Sequence, residues 1–446
     1  MDHVFHRQLT SSLPMAAYGD GPYIVDTRGK RYLDASGGAA VSCLGHSDAD
    51  VVAAIKYQLD RQPFAHTGFF TSEPAEELAD FLNRAAPGDL DRVYFVSGGS
   101  EAVECALKMA RQYHVERGEP DRHRFIARRQ SYHGNTLGAL SVGHNAGRRA
   151  LFEPILLNDV VHHVSPCYAY RHQLEGETPE RYGQRLALEL ESTIRRLGPE
   201  TICAFVAETV VGATAGVLPP VPGYLKGVRH ICDAHGILLI LDEVMSGMGR
   251  TGHLFACAED DVIPDMVCIA KGLGAGYQPI GAVVVREPVF RAFRQGSGAF
   301  QHGHTYMGHP TATAAALAVQ RKIQSENLLD NVLDKGAKIR AGLAERLGEN
   351  PHLGDIRGRG LFIGVELVAD RDSKEPFEPA QKLHARIKSQ AMERGLMVYP
   401  AGGTADGIKG DHVLIAPPFI WEDEQVEEFL DKFTASLGAA FDSLSS

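Results

Sequence analysis

Two short apolar runs end in residues that can do chemistry. Ile237-Leu238-Leu239-Ile240-Leu241 stops at Asp242-Glu243, and the run from Met266 to Ala270 stops at Lys271-Gly272-Leu273-Gly274. A short, continuously apolar run is the pattern of a strand buried on both faces of a parallel sheet. Ligands of open α/β sheets bind at the carboxyl ends of strands, so a carboxylate and a lysine are expected on one rim. A lysine in a desolvated or cationic setting keeps a free amine that condenses with an aldehyde, and an aspartate holds a pyridine nitrogen protonated. That pairing is the working apparatus of pyridoxal phosphate. Taken singly, Asp242 is as readily a cap for the next segment and Lys271 a solvated side chain, so neighbouring motifs must decide.

Three further strand exits supply what such a cofactor needs. Val93-Tyr94-Phe95-Val96 runs into Ser97-Gly98-Gly99-Ser100-Glu101, after which Val103, Leu107 and Ala110 recur at helical spacing. This is a strand, a glycine turn and a helix. The free N–H groups and positive dipole end of such a helix start suit a phosphate. No Gly-Lys-Ser/Thr follows the turn and Gly-x-Gly-x-x-Gly is not matched, which argues against nucleotide and dinucleotide loops. Phe125-Ile126-Ala127-Arg128 reads as a strand leading to Tyr132-His133-Gly134, where a tyrosine can lie flat on an aromatic ring. Ile202 to Ala207 ends in Glu208, another acid at a strand exit. The rival from a different class is a phosphate-binding module using Ser97 to Ser100 without lysine chemistry, and a third is a silent paralogue that only binds partners. His302 and His304 stand two apart with no nearby carboxylate or cysteine set, so no metal site is expected.

Composition narrows the remaining classes. At 446 residues the chain exceeds what one hydrophobic core usually holds, so two subdomains are expected. Asp plus Glu number 56 against 45 Lys plus Arg, and the net charge of −11 disfavours nucleic acid and anionic membrane surfaces as partners. The seven cysteines are scattered with no Cys-x-x-Cys pair, which points to free thiols in a cytoplasmic protein. No segment approaches the ~20 apolar residues of a membrane span, and the N-terminus lacks a signal-peptide core.

In chain order, residues 1–60 carry a predicted hairpin over Tyr23 to Asp34, then the small-residue turn Gly37-Gly38-Ala39-Ala40, read either as a close backbone approach to a ligand or as a plain loop. Residues 61–320 alternate strand-like and helix-like segments and form the large cofactor-binding domain, closing with an alanine-rich helix whose first turn takes Pro310. Residues 321–446 change character: two long amphipathic helices, a strand over Ile356 to Leu367, a helix near 378–394, short strands near Leu396 and Val413, and a closing helix from Glu422. This α+β unit is expected to fold back on the N-terminal hairpin.

With these residues in hand, the chain resembles the class III aminotransferases, fold type I pyridoxal-phosphate enzymes that include the ω-amino acid and amine transaminases. The likeness is carried by Ser97-Gly98-Gly99-Ser100-Glu101-Ala102, Tyr132-His133-Gly134, Leu241-Asp242-Glu243-Val244, Gly249-Arg250-Thr251-Gly252, Ala270-Lys271-Gly272 and Thr305-Tyr306 before His309-Pro310. It implies an α/β fold: a large domain with a mostly parallel seven-stranded sheet flanked by helices, and a smaller α+β domain built from both termini. It also implies roles. Lys271 joins the cofactor and later shuttles a proton, Asp242 pairs with the pyridinium nitrogen, and Glu208 supports it. Val244 packs under the ring, Tyr132 covers it beside His133, and Gly99 and Ser100 hold the phosphate. Thr305 reaches that phosphate from the neighbouring subunit, so a homodimer or a dimer of dimers is expected.

Departures from relatives bear on substrate. Where ornithine and γ-aminobutyrate transaminases carry a glutamate, this chain has Ala213, so it resembles the branch that passes nitrogen from an amine or ω-amino acid to pyruvate or a similar 2-oxo acid. The arginine that many of those enzymes place before the Gly-Asp-His segment is absent; only Lys409 stands near Gly410-Asp411-His412. A lysine meets a carboxylate as a point charge rather than a fork, and Arg357 and Arg359 are alternatives that read more readily as solvated or backbone-bonding residues beside Gly358 and Gly360. Ala39, Ala40, Phe69 and Tyr18 are the expected pocket walls. Racemases, epimerases, aminomutases and a decarboxylating transaminase run on the same apparatus and are the alternative activities.

Overall fold

The apolar runs form strands where the pattern places them. In the computed structural model, which describes residues 3–10 and 12–444, a seven-stranded sheet forms the centre. Its spatial order is Leu90–Val96, Gly281–Arg286, Met266–Ile269, Leu238–Asp242, Ile202–Glu208, Arg124–Arg128, Val161–Val164. Gly281–Arg286 is antiparallel to both neighbours and the other pairings are parallel. The remaining strands therefore end on one rim.

Both faces of this sheet are covered, which is why its strands carry no alternation of polar residues. Leu239 and Leu241 join Phe205, Val267 and Ile269 in one core, while Ile240 joins Val206, Cys268 and Val283 in the other. All seven cysteines are free and buried. Among the described residues, no helix is long and apolar enough to cross a membrane.

The chain ends build the rest. Ala16–Asp20, Tyr23–Asp26 and Arg31–Asp34 form an antiparallel ribbon, and Leu396–Met397 adds to Arg31–Asp34 in parallel, so the C-terminal part does fold onto the N-terminal hairpin. A second antiparallel sheet runs Leu353–Arg359, Phe362–Leu367, Asp411–Ile415, Tyr399–Gly402. Helices Leu328–Leu347 and Asp423–Asp442 pack with it around a separate core that includes the fully buried Trp421.

Several expectations need correction. Ile356 to Leu367 is two strands rather than one, turned at Gly360, whose φ of +52° a side chain rarely adopts. Of the two long helices expected directly after residue 320, only Leu328–Leu347 starts there, since the one before it is the alanine-rich Pro310–Ser325. Strand Tyr399–Gly402 was not legible, because Pro400 and two small residues hide an edge strand. The turn at Gly37 to Ala40 is not a plain loop. Four successive residues have positive φ, with Ala39 at +74° and Ala40 at +64°. Asp34 holds the start of this left-handed turn by accepting from Ser36 N at 3.0 Å, Ser36 Oγ at 2.8 Å and Gly37 N at 2.9 Å.

Candidate active site

The rim of the central sheet opens into a cavity of about 430 Å³, within the ~300–1,000 Å³ usual for small-molecule sites. Its walls include Gly99, Ser100, Tyr132, His133, Glu208, Asp242, Val244 and Lys271. These eight predicted residues come from five separate strand exits.

The carboxylates are placed by register. Glu208 and Asp242 are partners across adjacent parallel strands, so both leave the sheet at the same level. Asp242 accepts from Val244 N at 2.9 Å through Oδ1, and its Oδ2 lies 2.8 Å from His133 Nδ1. Both side chains are buried. His133 Nε2 has no partner among the described residues. Glu208 accepts from Tyr132 N at 3.0 Å and Gly212 N at 2.8 Å. Burial pushes its carboxyl up, Asp242 adding to the effect, while those two N–H groups and His133 pull it down. Glu243, next in sequence, points away from the cavity and is consumed by Ala256 N, Cys257 N and Thr209 Oγ1 at 2.6, 2.7 and 2.9 Å.

Lys271 follows strand Met266–Ile269 and stands at φ +45°, a left-handed conformation that a lysine adopts only when its surroundings impose it. Gln320, from helix Pro310–Ser325, donates to the carbonyls of Gly272 and Leu273 at 2.9 and 3.0 Å and fixes the turn that follows. Desolvation lowers the Lys271 ammonium to about 8, against the attraction of Asp242 and Glu208 and with help from Arg148 and Arg250. Near neutral pH it therefore carries a usable fraction of free amine.

Close approach explains the glycines. A Cβ on Gly99 would stand 2.7 Å from Val244 Cγ1, and one on Gly134 would stand 2.9 Å from Ser100 Cα. Gly134 also sits at φ +136°. The start of helix Gly99–Glu116 is thus pressed between Val244 and the Tyr132-His133-Gly134 turn, with its N–H groups facing the cavity. Asn135 N donates to Ser100 Oγ at 3.1 Å and closes the junction. A helix start at Gly99 and Ser100, the side chains of Tyr132 and Val244, and a buried acid with a lysine on one cavity wall form a donor set that fits pyridoxal phosphate.

Other candidates fall outside the cavity wall. Thr305 is exposed and does not line the cavity of its own chain. Tyr18 and Phe69 are 61% and 81% exposed, and with Ala39 and Ala40 they are absent from the wall, where Val41 stands instead. Arg357 spends its guanidinium on the carbonyls of Ala215, Gly216 and Val217 and on Asp355 and Glu366. Arg359 forms a two-point pair with Asp260 at 2.7 and 3.0 Å. Lys409 lies 3.5 Å from Glu378 on the surface. Sequence reasoning missed Met245 and the segment Gln278-Pro279-Ile280, which enter the wall just before strand Gly281–Arg286. A three-residue segment preceding an antiparallel strand gives no signal of its own. Arg148 was also missed, because its four-residue helix Ala146–Arg149 has no periodicity to read.

The comparisons with known proteins agree with this geometry. The family model for aminotransferase class-III matches residues 6–437. The chain belongs to the class III aminotransferases. It is 43% identical over 436 residues to an uncharacterized aminotransferase of Schizosaccharomyces pombe, covering 98% of this chain and 95% of that one. Among solved structures, the omega transaminase of Pseudomonas jessenii in complex with PMP superposes with a TM-score of 0.91 at 34% identity, covering 97% of this chain and 94% of that one. An (S)-enantioselective omega-transaminase of Thermomicrobium roseum gives 0.90 at 37%, covering 99% and 97%. The class III aminotransferase fold is the type I fold of pyridoxal-phosphate transaminases, and the family depends on that cofactor.

Proposed function

We propose that this aminotransferase moves an amino group from an amine or ω-amino acid to pyruvate or a similar 2-oxo acid in two half-reactions that share one cofactor. The observation that carries the reading is the convergence of Glu208, Asp242 and Lys271, from three adjacent strand ends, on one cavity with Lys271 held near pH 8. Bound there, pyridoxal phosphate supplies an aldehyde that takes up the amino group and a ring that holds the electrons released at carbon. Asp242, fixed by His133 and Val244 N, would keep a proton on the ring nitrogen, and Glu208, held by Tyr132 N, would be the supporting acid beside it. Lys271 would hold the cofactor through its free amine and would serve as the base and acid that moves a proton at the substrate carbon. Val244 and Tyr132 would exclude water from the ring, and the N–H groups at Gly99 and Ser100 would hold the phosphate.

Thr305, exposed on its own chain, is read as a phosphate ligand contributed to a second copy in a homodimer or a dimer of dimers. The division of the chain at residues 60 and 320 is supported by the two sets of cores, and a cytoplasmic setting by the seven free thiols. The pyruvate branch is supported by Ala213 and by the omega-transaminase neighbours.

The test is the visible absorption of the cofactor-loaded protein mixed with single amines and amino acids in the absence of any oxo acid. Bleaching of the yellow band, reversed by pyruvate, is the expected result. A band that shifts with a donor and never bleaches would turn the reading toward a racemase or aminomutase.

A further inference from the structure

The basic side chains around the cavity are nearly all spent. Arg357 and Arg359 are paired, as described, and Arg250 is buried against the carbonyls of Leu361 and Pro417 at 3.2 and 2.5 Å. Arg128 donates to the Glu208 carbonyl. Arg148 differs. Its guanidinium lies over the Tyr132 ring, 4.8 Å from the centroid, and only Nη1 is engaged, with Asn135 Oδ1 at 2.9 Å and Tyr132 Oη at 3.3 Å. The edge formed by Nε and Nη2, the pair that grips a carboxylate at two points, has no protein acceptor among the described residues. No carboxylate among them lies within ion-pair distance of Arg148.

Tyr132 extends this handle into the cavity. Its Oη accepts from both Arg148 Nη1 and Asn135 Nδ2, the latter at 3.0 Å, so its own proton is left to donate elsewhere. Tyr132 lines the cavity and Arg148 is half-buried behind it. The guanidinium is also close enough to repel the Lys271 ammonium.

Resting on the aminotransferase reading, we propose that Arg148, with the Tyr132 hydroxyl, is the specificity element that binds the carboxylate of the amino-acid donor or oxo-acid acceptor. It takes the place of an arginine near Gly410-Asp411-His412. A half-buried guanidinium without a carboxylate partner, set behind a wall that carries Glu208 and Asp242, discriminates by charge: substrates with a carboxylate gain the fork, and simple amines do not need it.

The test uses the cofactor-loaded enzyme and its Arg148→Met and Arg148→Lys variants. Half-reactions are followed by bleaching with β-alanine, which has a carboxylate, and with 1-phenylethylamine, which has none, and the return reaction is followed with pyruvate. Arg148→Met is expected to raise the KM for β-alanine and pyruvate about ten- to a hundred-fold, the range for truncating a charge-assisted hydrogen bond. The phenylethylamine reaction, which draws on Arg148 only through Lys271 and Tyr132, should change several-fold less than the β-alanine reaction, and Arg148→Lys should fall between. Equal slowing with both donors, or a weakened cofactor Kd, would overturn the proposal and make Arg148 a prop for Tyr132 or a phosphate ligand. Propionate, which cannot react, gives a second readout through its displacement of the visible band. Binding of propionate lost in Arg148→Met supports the carboxylate handle even if no donor bleaches the wild type, in which case only the aminotransferase reading fails.

Discussion

Lys271 is the residue on which two opposed forces meet. Burial drives its ammonium down to about 8 from an ordinary 10.5, while Asp242 and Glu208 pull it up. Only the unprotonated amine takes up an aldehyde, so the rate at which the cofactor-free protein recombines with pyridoxal phosphate should climb with pH and level off above about 8. At pH 9 this lysine holds about thirty-fold more free amine than an ordinary one. Stopped-flow absorption against pH checks the midpoint; a midpoint above about 10 would remove the special status of Lys271. Asp242→Asn separates the two jobs of the acid. Losing the attraction moves the recombination midpoint lower, while losing the charge opposite the ring nitrogen nearly abolishes turnover, since breaking such a buried pair costs about 3–5 kcal/mol. A variant with wild-type turnover would sink the assignment of Asp242.

At the scale of elements, the site depends on how tightly the helix starting at Gly99 is wedged. Gly134→Ala brings a methyl to 2.9 Å from Ser100 Cα at a φ of +136°, and neither the backbone nor the helix can yield cheaply. A loss of about 1–3 kcal/mol is expected in urea unfolding of the cofactor-free protein. Gly98→Ala is the control, because its Cβ meets nothing within 4 Å, and its stability should stay within about 0.5 kcal/mol of wild type. Equal losses from the two would refute the wedge. This scale also separates what was legible in the sequence from what was not. The strand exits carrying Asp242, Glu208 and Lys271 could be read because a buried parallel strand must be apolar until the residue where it leaves the sheet. The hairpin at Gly360 reads as a single strand because its turn, Gly360-Leu361, is only two residues long and carries no Asn, Asp or Pro to mark it. Arg148 and Gln278-Pro279-Ile280 reach the site by tertiary folding of segments without periodicity, so no local pattern announces them.

In the whole molecule, the site rests on a join between the sheets and, on the reading proposed above, on a second join between chains. The first is the buried carboxylate of Glu366, which meets Arg171 Nε at 2.6 Å, Arg357 Nη1 at 2.5 Å and the Tyr168 hydroxyl, linking the second sheet to the segment after strand Val161–Val164. Removing one member of a buried charge network costs about 3–5 kcal/mol, so Glu366→Ala should lower the urea midpoint strongly without altering the visible spectrum of protein that remains folded. The second join is the proposed transfer of Thr305 into the partner's phosphate cup. Thr305→Ala should weaken cofactor binding by about 1.5–3 kcal/mol, the worth of a hydrogen bond to a charged group. Because the hydroxyl and the lysine of one site would then come from different chains, the defects of Lys271→Ala and Thr305→Ala should complement. Dissociating and remixing the two variants in equal amounts makes about half the dimers mixed, and each mixed dimer has one fully native site and one doubly impaired site. Activity at limiting cofactor should therefore rise to about a quarter of the wild-type value, well above either variant alone. If Thr305 served its own chain, every site in the mixture would lack one residue or the other, and remixing would yield no more than the average of the two parents.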